Sequence, residues 1–152
     1  HYDKKHLFTF GGEHKRFTAG TERVVVNFRG VRILLEVCYD LRFPVWARNL
    51  GDYDMILYVA SWPTPRVDAW SALLRARAIE NQCYVAGVNR MGVDPACEYS
   101  GGSAIIDPYG KTIAECPWSR ESAVSADIDM EALQAFRKKF PVLDDADPFT
   151  LI

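Results

Sequence analysis

Long hydrophobic runs are missing from this chain of 152 residues: no stretch approaches a membrane span, and the first residues, HYDKKHLF, hold no apolar core of a secretory leader. No membrane partner is expected. An excess of one charge is missing too. The 18 basic residues stand against 20 acidic ones, giving a formal net charge of -2, and they are dispersed rather than gathered in a stripe. That argues against nucleic acid as a partner. The four cysteines, Cys38, Cys83, Cys97 and Cys116, form no CxxC pair and lie far apart, so neither a zinc site nor a dense disulfide framework is suggested. A reducing cytoplasm is the natural compartment. Internal repeats and low-complexity segments are absent as well. What the chain does have is apolar material: 49% of it is hydrophobic and only 25% charged, enough to bury a core in one soluble globular unit.

The rest of the chain is organised around Val31 to Pro44, VRILLEVCYDLRFP. Val31 to Val37 reads as a buried strand that ends on Cys38, and the pattern then turns helical through Trp46, Ala47 and Leu50. The cysteine sits at a strand-to-helix corner, where the first helical turn leaves backbone N–H groups unpaired. Such donors, with the positive end of a helix dipole, lower a thiol pKa and can hold a developing oxyanion. A nucleophile fits that position, and so does a free cysteine packed as a small hydrophobe.

In chain order, His1 to Phe8 alternates like a strand, and GGEHKRFTAGTE is a loop carrying Glu13 and His14. Thr21 to Phe28 and Val31 to Val37 form a hairpin joined at Arg29-Gly30. Pro44 to Leu50 is a short helix, and Tyr53 to Ala60 a strand parallel to the one before it. SWPTPR lies at the carboxyl end of that strand, where open α/β sheets place ligands. Val67 to Asn81 is a helix and Cys83 to Val88 a strand. Asn89 to Glu98 is a loop, and Ser103 to Asp107, Thr112 to Cys116 and Ser122 to Ile128 are further strands. Met130 to Phe140 is a terminal helix, stopped by Pro141, and the last residues form an extended tail. Asp40 and Arg42 read as a structural ion pair. Trp62, Arg66 and Asn89 lie on loops near the expected pocket, with Arg66 the best candidate to grip a substrate carboxylate, because a guanidinium fork suits bidentate recognition. An exposed loop arginine would look the same.

Three stretches in order, YDKKHLF at residues 2–8, CYDLRFP at 38–44 and RARAIENQ at 75–82, resemble the nitrilase (carbon-nitrogen hydrolase) superfamily. The GGEHKRFTAG loop, ASWP with Arg66, and CYVAGVNRMG are most similar to its ω-amidase branch. The resemblance implies an α/β fold, the nitrilase-like α-β-β-α sandwich, of which residues 1–152 would be about the last three fifths. It implies a Glu-Lys-Cys catalytic set: Cys38 as nucleophile, Lys4 stabilising the tetrahedral intermediate with the backbone N–H of Tyr39, and Glu13 as the supporting glutamate. Lys5 falls at a variable position. The general-base glutamate of the family belongs to a segment upstream of the lysine; Glu22 and Glu36 could be proposed in its place, but Glu36 precedes the nucleophile by two positions on the same strand and nothing marks Glu22, so neither is read as the base. The missing segment, or a companion chain supplying it, is an expected partner, and a homo-oligomer is expected. His6 and His14 would permit a Cys-His hydrolase, which the motif position of Lys4 opposes. No metal or organic cofactor is needed. The implied activity is hydrolysis of a small amide such as 2-oxoglutaramate or 2-oxosuccinamate. Nitrile hydrolysis, N-carbamoyl and deaminated glutathione substrates, or a non-catalytic fragment or interaction subunit, are the alternatives.

Overall fold

The computed structural model describes residues 1–150. Its centre is a six-stranded mixed sheet in the order β1-β2-β3-β4-β7-β8. Strands β2 (Val31–Val37), β3 (Met55–Ala60) and β4 (Tyr84–Asn89) run parallel, and β1 (Val25–Phe28), β7 (Ala104–Ile106) and β8 (Thr112–Glu115) flank them antiparallel. A separate two-stranded ribbon pairs β5 (Met91–Val93) with β6 (Glu98–Ser100). The helices are α1 (Pro44–Ala47), α2 (Val67–Glu80) and α3 (Met130–Lys139).

Register explains the core. Leu34, Ile56, Val85 and Ile106 stand abreast across four strands, so their side chains share one face, and all four are buried. Helix α2, the crossover between parallel strands β3 and β4, lays Trp70, Leu74 and Ala78 on that face. Gly87 lets it approach: a Cβ there would come within 2.5 Å of Leu74 Cδ1 and 2.8 Å of Trp70 Cζ2. The opposite face is only partly covered: Tyr84 and Ala86 are buried on it, but its carboxyl end is open. Val37, Val59 and Val88 stand abreast on it, and Val59 and Val88 are 45% and 50% exposed. A single helix-covered sheet with a partly uncovered apolar face is one half of a sandwich.

Helix α3 closes the amino ends of the parallel strands. Asp129 caps it by accepting the Ala132 N–H at 2.8 Å, and Arg137 in its last turn reaches Gln82 O, Asp54 Oδ1 and Tyr53 O at 2.9 to 3.0 Å. Asp54 also takes Arg32 in a bidentate pair at 2.7 and 2.9 Å. Burial pushes this carboxyl up, but the guanidinium hydrogen bonds outweigh it and hold Asp54 below the ordinary aspartate value.

Several sequence expectations are corrected. His1 to Phe8 is not a strand but an irregular segment followed by two 3-10 turns, Thr9–Gly11 and Glu13–Lys15; its alternation reflects side-chain anchoring to the site rather than a ladder. The first hairpin strand begins only at Val25. Helix α1 stops at Ala47, because Asn49 turns away to donate to Tyr53 O and Asn81 O. The loop 89–98 contains strand β5. Residues 122–128 form no strand: they are largely exposed and pair with nothing in the sheet. Of the tail, Leu151 and Ile152 lie outside the described residues.

Candidate active site

Strand β2 delivers Cys38 to the carboxyl edge of the sheet, and there the chain breaks sharply into a 3-10 turn, Cys38–Arg42. Cys38 has φ +50°, a left-handed conformation that costs a non-glycine residue of order 1–3 kcal/mol and persists only where the surroundings fix it. Its Sγ lies 3.9 Å from Ser61 O, at the end of neighbouring strand β3. Tyr39, next in the turn, has a backbone N–H that the turn itself leaves unpaired. The carboxylate of Asp40 bends back to accept the Val37 N–H at 3.1 Å. Asp40 does not pair with Arg42, as the sequence suggested. Its partners are Tyr2 and His6, from the far end of the chain, and Arg42 instead lies 4.9 Å over the Trp62 ring.

Cys38 opens into a cleft of about 610 Å³ whose other walls include Tyr2, Lys4, Phe8 and Glu13. Lys4 Nζ donates to Glu13 Oε2 at 2.7 Å, and the same oxygen accepts the Phe8 N–H at 2.8 Å. Burial raises Glu13, but these two donors and the ammonium charge prevail, so it stays ionised below its ordinary range. The segment bearing Lys4 is pinned by its own loop, since Gly20 N–H donates to Lys4 O at 2.9 Å. Only glycine fits there: a Cβ on Gly20 would stand 2.1 Å from Asp3 O. For the Cys38 thiol, burial pushes the pKa up, and the Lys4 charge pulls it back only in part, leaving it above the ordinary value. The sulfur therefore rests as a thiol and must give its proton to a base before attacking a carbonyl.

The two spare glutamates are placed elsewhere. Glu22 is exposed on the approach to β1. Glu36 points to the opposite, α2-covered face of the sheet, 1% exposed, its oxygens without a hydrogen-bond partner, and burial with the nearby Asp40 charge pushes its pKa up to about 9. Among the described residues the carboxylates on the cleft are Asp3 and Glu13. No group of three or more His, Cys, Asp or Glu among them could hold a metal.

A smaller recess of about 30 Å³ adjoins Cys38, lined by Phe8, Tyr39, Arg42, Trp62 and Arg66 among others. The Arg66 guanidinium lies 5.5 Å over the Phe8 ring, and neither it nor that of Arg42 enters an ion pair among the described residues. Trp62 is 3% exposed and packs on Trp70, its indole N–H donating to Arg66 O at 2.7 Å, so its main contribution is to hold the Arg66 loop. Asn89 lines neither recess. Its amide ties Trp62 N and O, at 2.7 and 3.0 Å, to Gly101 O at 2.7 Å, bracing the loop rather than facing the cysteine. Arg42 was missed as a member of the recess because its neighbour Asp40 suggested a local partner.

The sequence of residues 1–138 matches the model of the carbon-nitrogen hydrolase family. The chain belongs to the carbon-nitrogen hydrolase family. It is 55% identical to the omega-amidase YafV of Escherichia coli over 151 residues, 99% of this chain, and 42% identical to the 2-oxoglutaramate amidase of Bacillus subtilis over 146 residues, 95% of this chain. It spans 59% and 56% of the length of these relatives. The crystal structure of a CN-hydrolase superfamily protein from Xanthomonas campestris, with an arsenic adduct in its active site, superposes at a TM-score of 0.96 with 49% identity, covering 99% of this chain and 60% of that one. The fold of this chain is thus that of a carbon-nitrogen hydrolase. No helix of the described residues is long and apolar enough to cross a membrane.

Proposed function

We propose that this chain is the nucleophile-bearing part of a cysteine amidohydrolase of the ω-amidase type, acting on a small dicarboxylic monoamide such as 2-oxoglutaramate or 2-oxosuccinamate. The observation that carries the reading is the meeting of Cys38, Lys4 and Glu13 on one cleft beside a recess edged by two guanidiniums that have no ion-pair partner among the described residues. Supporting it are relatives named omega-amidase and 2-oxoglutaramate amidase at 55% and 42% identity.

In this mechanism a base takes the Cys38 proton and the thiolate attacks the amide carbonyl. The negative oxygen of the tetrahedral adduct is held by the Lys4 ammonium and the Tyr39 N–H. Glu13, fixed as an anion, keeps the Lys4 ammonium aimed. The C–N bond then breaks, ammonia leaves with the proton held by the base, and an acyl thioester remains on Cys38. Water, deprotonated by the same base, adds to the thioester, the C–S bond breaks, and the dicarboxylate departs. Arg66 binds the distal carboxylate of the substrate. The base is a carboxylate from a polypeptide segment that this chain does not contain. That segment covers the open face at Val59 and Val88, and the complete domain works in the cytoplasm as a homo-oligomer.

The test is ammonia release from 2-oxoglutaramate by the assembled protein. Release that disappears in Cys38→Ala, by about 10⁴-fold or more as expected for loss of a nucleophile, supports the reading. Release that survives Cys38→Ala would overturn Cys38 as the nucleophile, and none with either monoamide would replace the reading with a non-catalytic interaction role.

A further inference from the structure

The segment that carries Lys4 has no helix or strand to hold it, yet Lys4 must meet Cys38 across the cleft within a fraction of an ångström to act on the same oxygen. What joins the two is the carboxylate of Asp40, which is fully buried and has four hydrogen-bond partners. Its Oδ2 takes the Tyr2 hydroxyl at 2.9 Å and the Val37 N–H at 3.1 Å; its Oδ1 takes the His6 N–H at 2.8 Å and lies 2.9 Å from His6 Nδ1. Tyr2 and His6 bracket Lys4 by two residues on each side, and Val37 immediately precedes the strained Cys38. The brackets are themselves braced. The Tyr2 oxygen accepts the Lys5 N–H at 3.2 Å and the Trp46 indole N–H at 3.1 Å, and the His6 ring stacks on Phe43 at 3.8 Å.

We propose that Asp40 is a positioning residue that sets the Lys4 ammonium against the Cys38 thiol, by clamping the lysine segment on both sides of Lys4 to the strand end that presents the cysteine. This inference rests on the amidohydrolase reading only for the use of the pair; the pairing itself concerns the ground-state protein.

Two of the four groups on Asp40 are backbone N–H groups, His6 on Oδ1 and Val37 on Oδ2, which can only donate, so a carboxylate satisfies both and an amide cannot. In Asp40→Asn the single carbonyl oxygen serves one side, and the NH₂ is turned against the backbone N–H on the other. One half of the clamp opens. Tyr2→Phe removes one arm with little change of volume, and so keeps the question answerable if Asp40→Asn fails to fold. The charged and titratable groups that bear on the thiol are Lys4, Glu13 and Asp40, and those near Asp40 are His6, Tyr2 and Glu36. None but Lys4 favours the thiolate electrostatically.

The experiment is the rate of Cys38 alkylation by iodoacetamide against pH in the assembled protein, with kcat and KM for 2-oxoglutaramate measured alongside. Lys4→Met fixes the full effect of losing the ammonium. The expected result is that Tyr2→Phe and Asp40→Asn move the alkylation midpoint upward, part or all of the way to that of Lys4→Met. They should also lower kcat by on the order of 10- to 100-fold with KM nearly unchanged, the effect of a misplaced group. A midpoint unmoved in Tyr2→Phe and in any Asp40→Asn protein that folds, while Lys4→Met moves it, would overturn the clamp. So would a midpoint that Lys4→Met itself leaves in place. Because alkylation requires no amide turnover, an upward shift in a protein inert toward amides would sustain the clamp and reject the substrate reading alone.

Discussion

The two ends of the parallel strands treat their cations in opposite ways. At the amino ends, Arg32 and Arg137 are both consumed by the buried Asp54 carboxylate, and Arg137 also spends its fork on the carbonyls of Tyr53 and Gln82. At the carboxyl ends, the buried carboxylate Asp40 accepts neutral donors and a histidine. Arg42 and Arg66 lie over the faces of Trp62 and Phe8 without an ion-pair partner among the described residues, and Lys4 is matched by a part-exposed glutamate. A guanidinium over an aromatic face is positioned at a gain of only about 0.5–1 kcal/mol when exposed, so it keeps most of its capacity for an incoming anion. One end of the sheet has its guanidiniums paired with a buried carboxylate, and the other leaves two of them over aromatic faces.

That contrast can be broken from either side. The largest effect belongs to the carboxyl end: Lys4→Met should lower kcat for amide hydrolysis by about 10²- to 10³-fold, the usual consequence of removing an oxyanion donor, and leave the melting temperature close to that of the parent. At the amino end the result should invert. Asp54→Asn leaves two guanidiniums facing an amide, and a loss of about 2–3 kcal/mol in a urea titration is expected, discounted from the full penalty of a broken buried pair because Arg32 is part exposed, with kcat unaltered. Glu36→Gln should do the reverse of Asp54→Asn. Since the folded-state pKa of Glu36 is about 9 against an ordinary 4.5, the native protein holds a proton that the unfolded chain releases. Its contribution is fully present below about pH 4.5 and is lost as pH rises through about 9. Glutamine removes that dependence, so the variant should gain on the order of 2 kcal/mol at pH 8, nothing at pH 4, and show a flatter stability profile. The smallest effect is Arg66→Gln: KM for 2-oxoglutaramate rising about tenfold at constant kcat, roughly 1.4 kcal/mol of binding.

Elements with a strong apolar period were legible in the sequence. Strands β2, β3 and β4 and helices α2 and α3 fall within a residue or two of where periodicity puts them, because their burial and their sequence pattern are the same fact. Segments held by side chains were not. His1 to Phe8 alternates like a strand, yet its residues are spent on Asp40 and Glu13, contacts 34 to 38 residues away in one case and invisible to any local pattern. The cysteine at the strand end was readable from position, and its left-handed φ was not, since nothing in CYDLR asks for glycine-like geometry. Arg66 was placed at the recess by the loop that carries it. Asn89, assigned to the same place, turned out to brace the loop, because an asparagine with both a donor and an acceptor serves crossing backbones as well as it serves a ligand.

The most direct test of the account is the mass of the Cys38 peptide after rapid acid quenching of the assembled protein with 2-oxoglutaramate. A thioester predicts a peptide heavier by the substrate less ammonia, present only during turnover and absent in Cys38→Ala. Turnover with an unmodified Cys38 peptide, or with the acyl group on another residue, would contradict it.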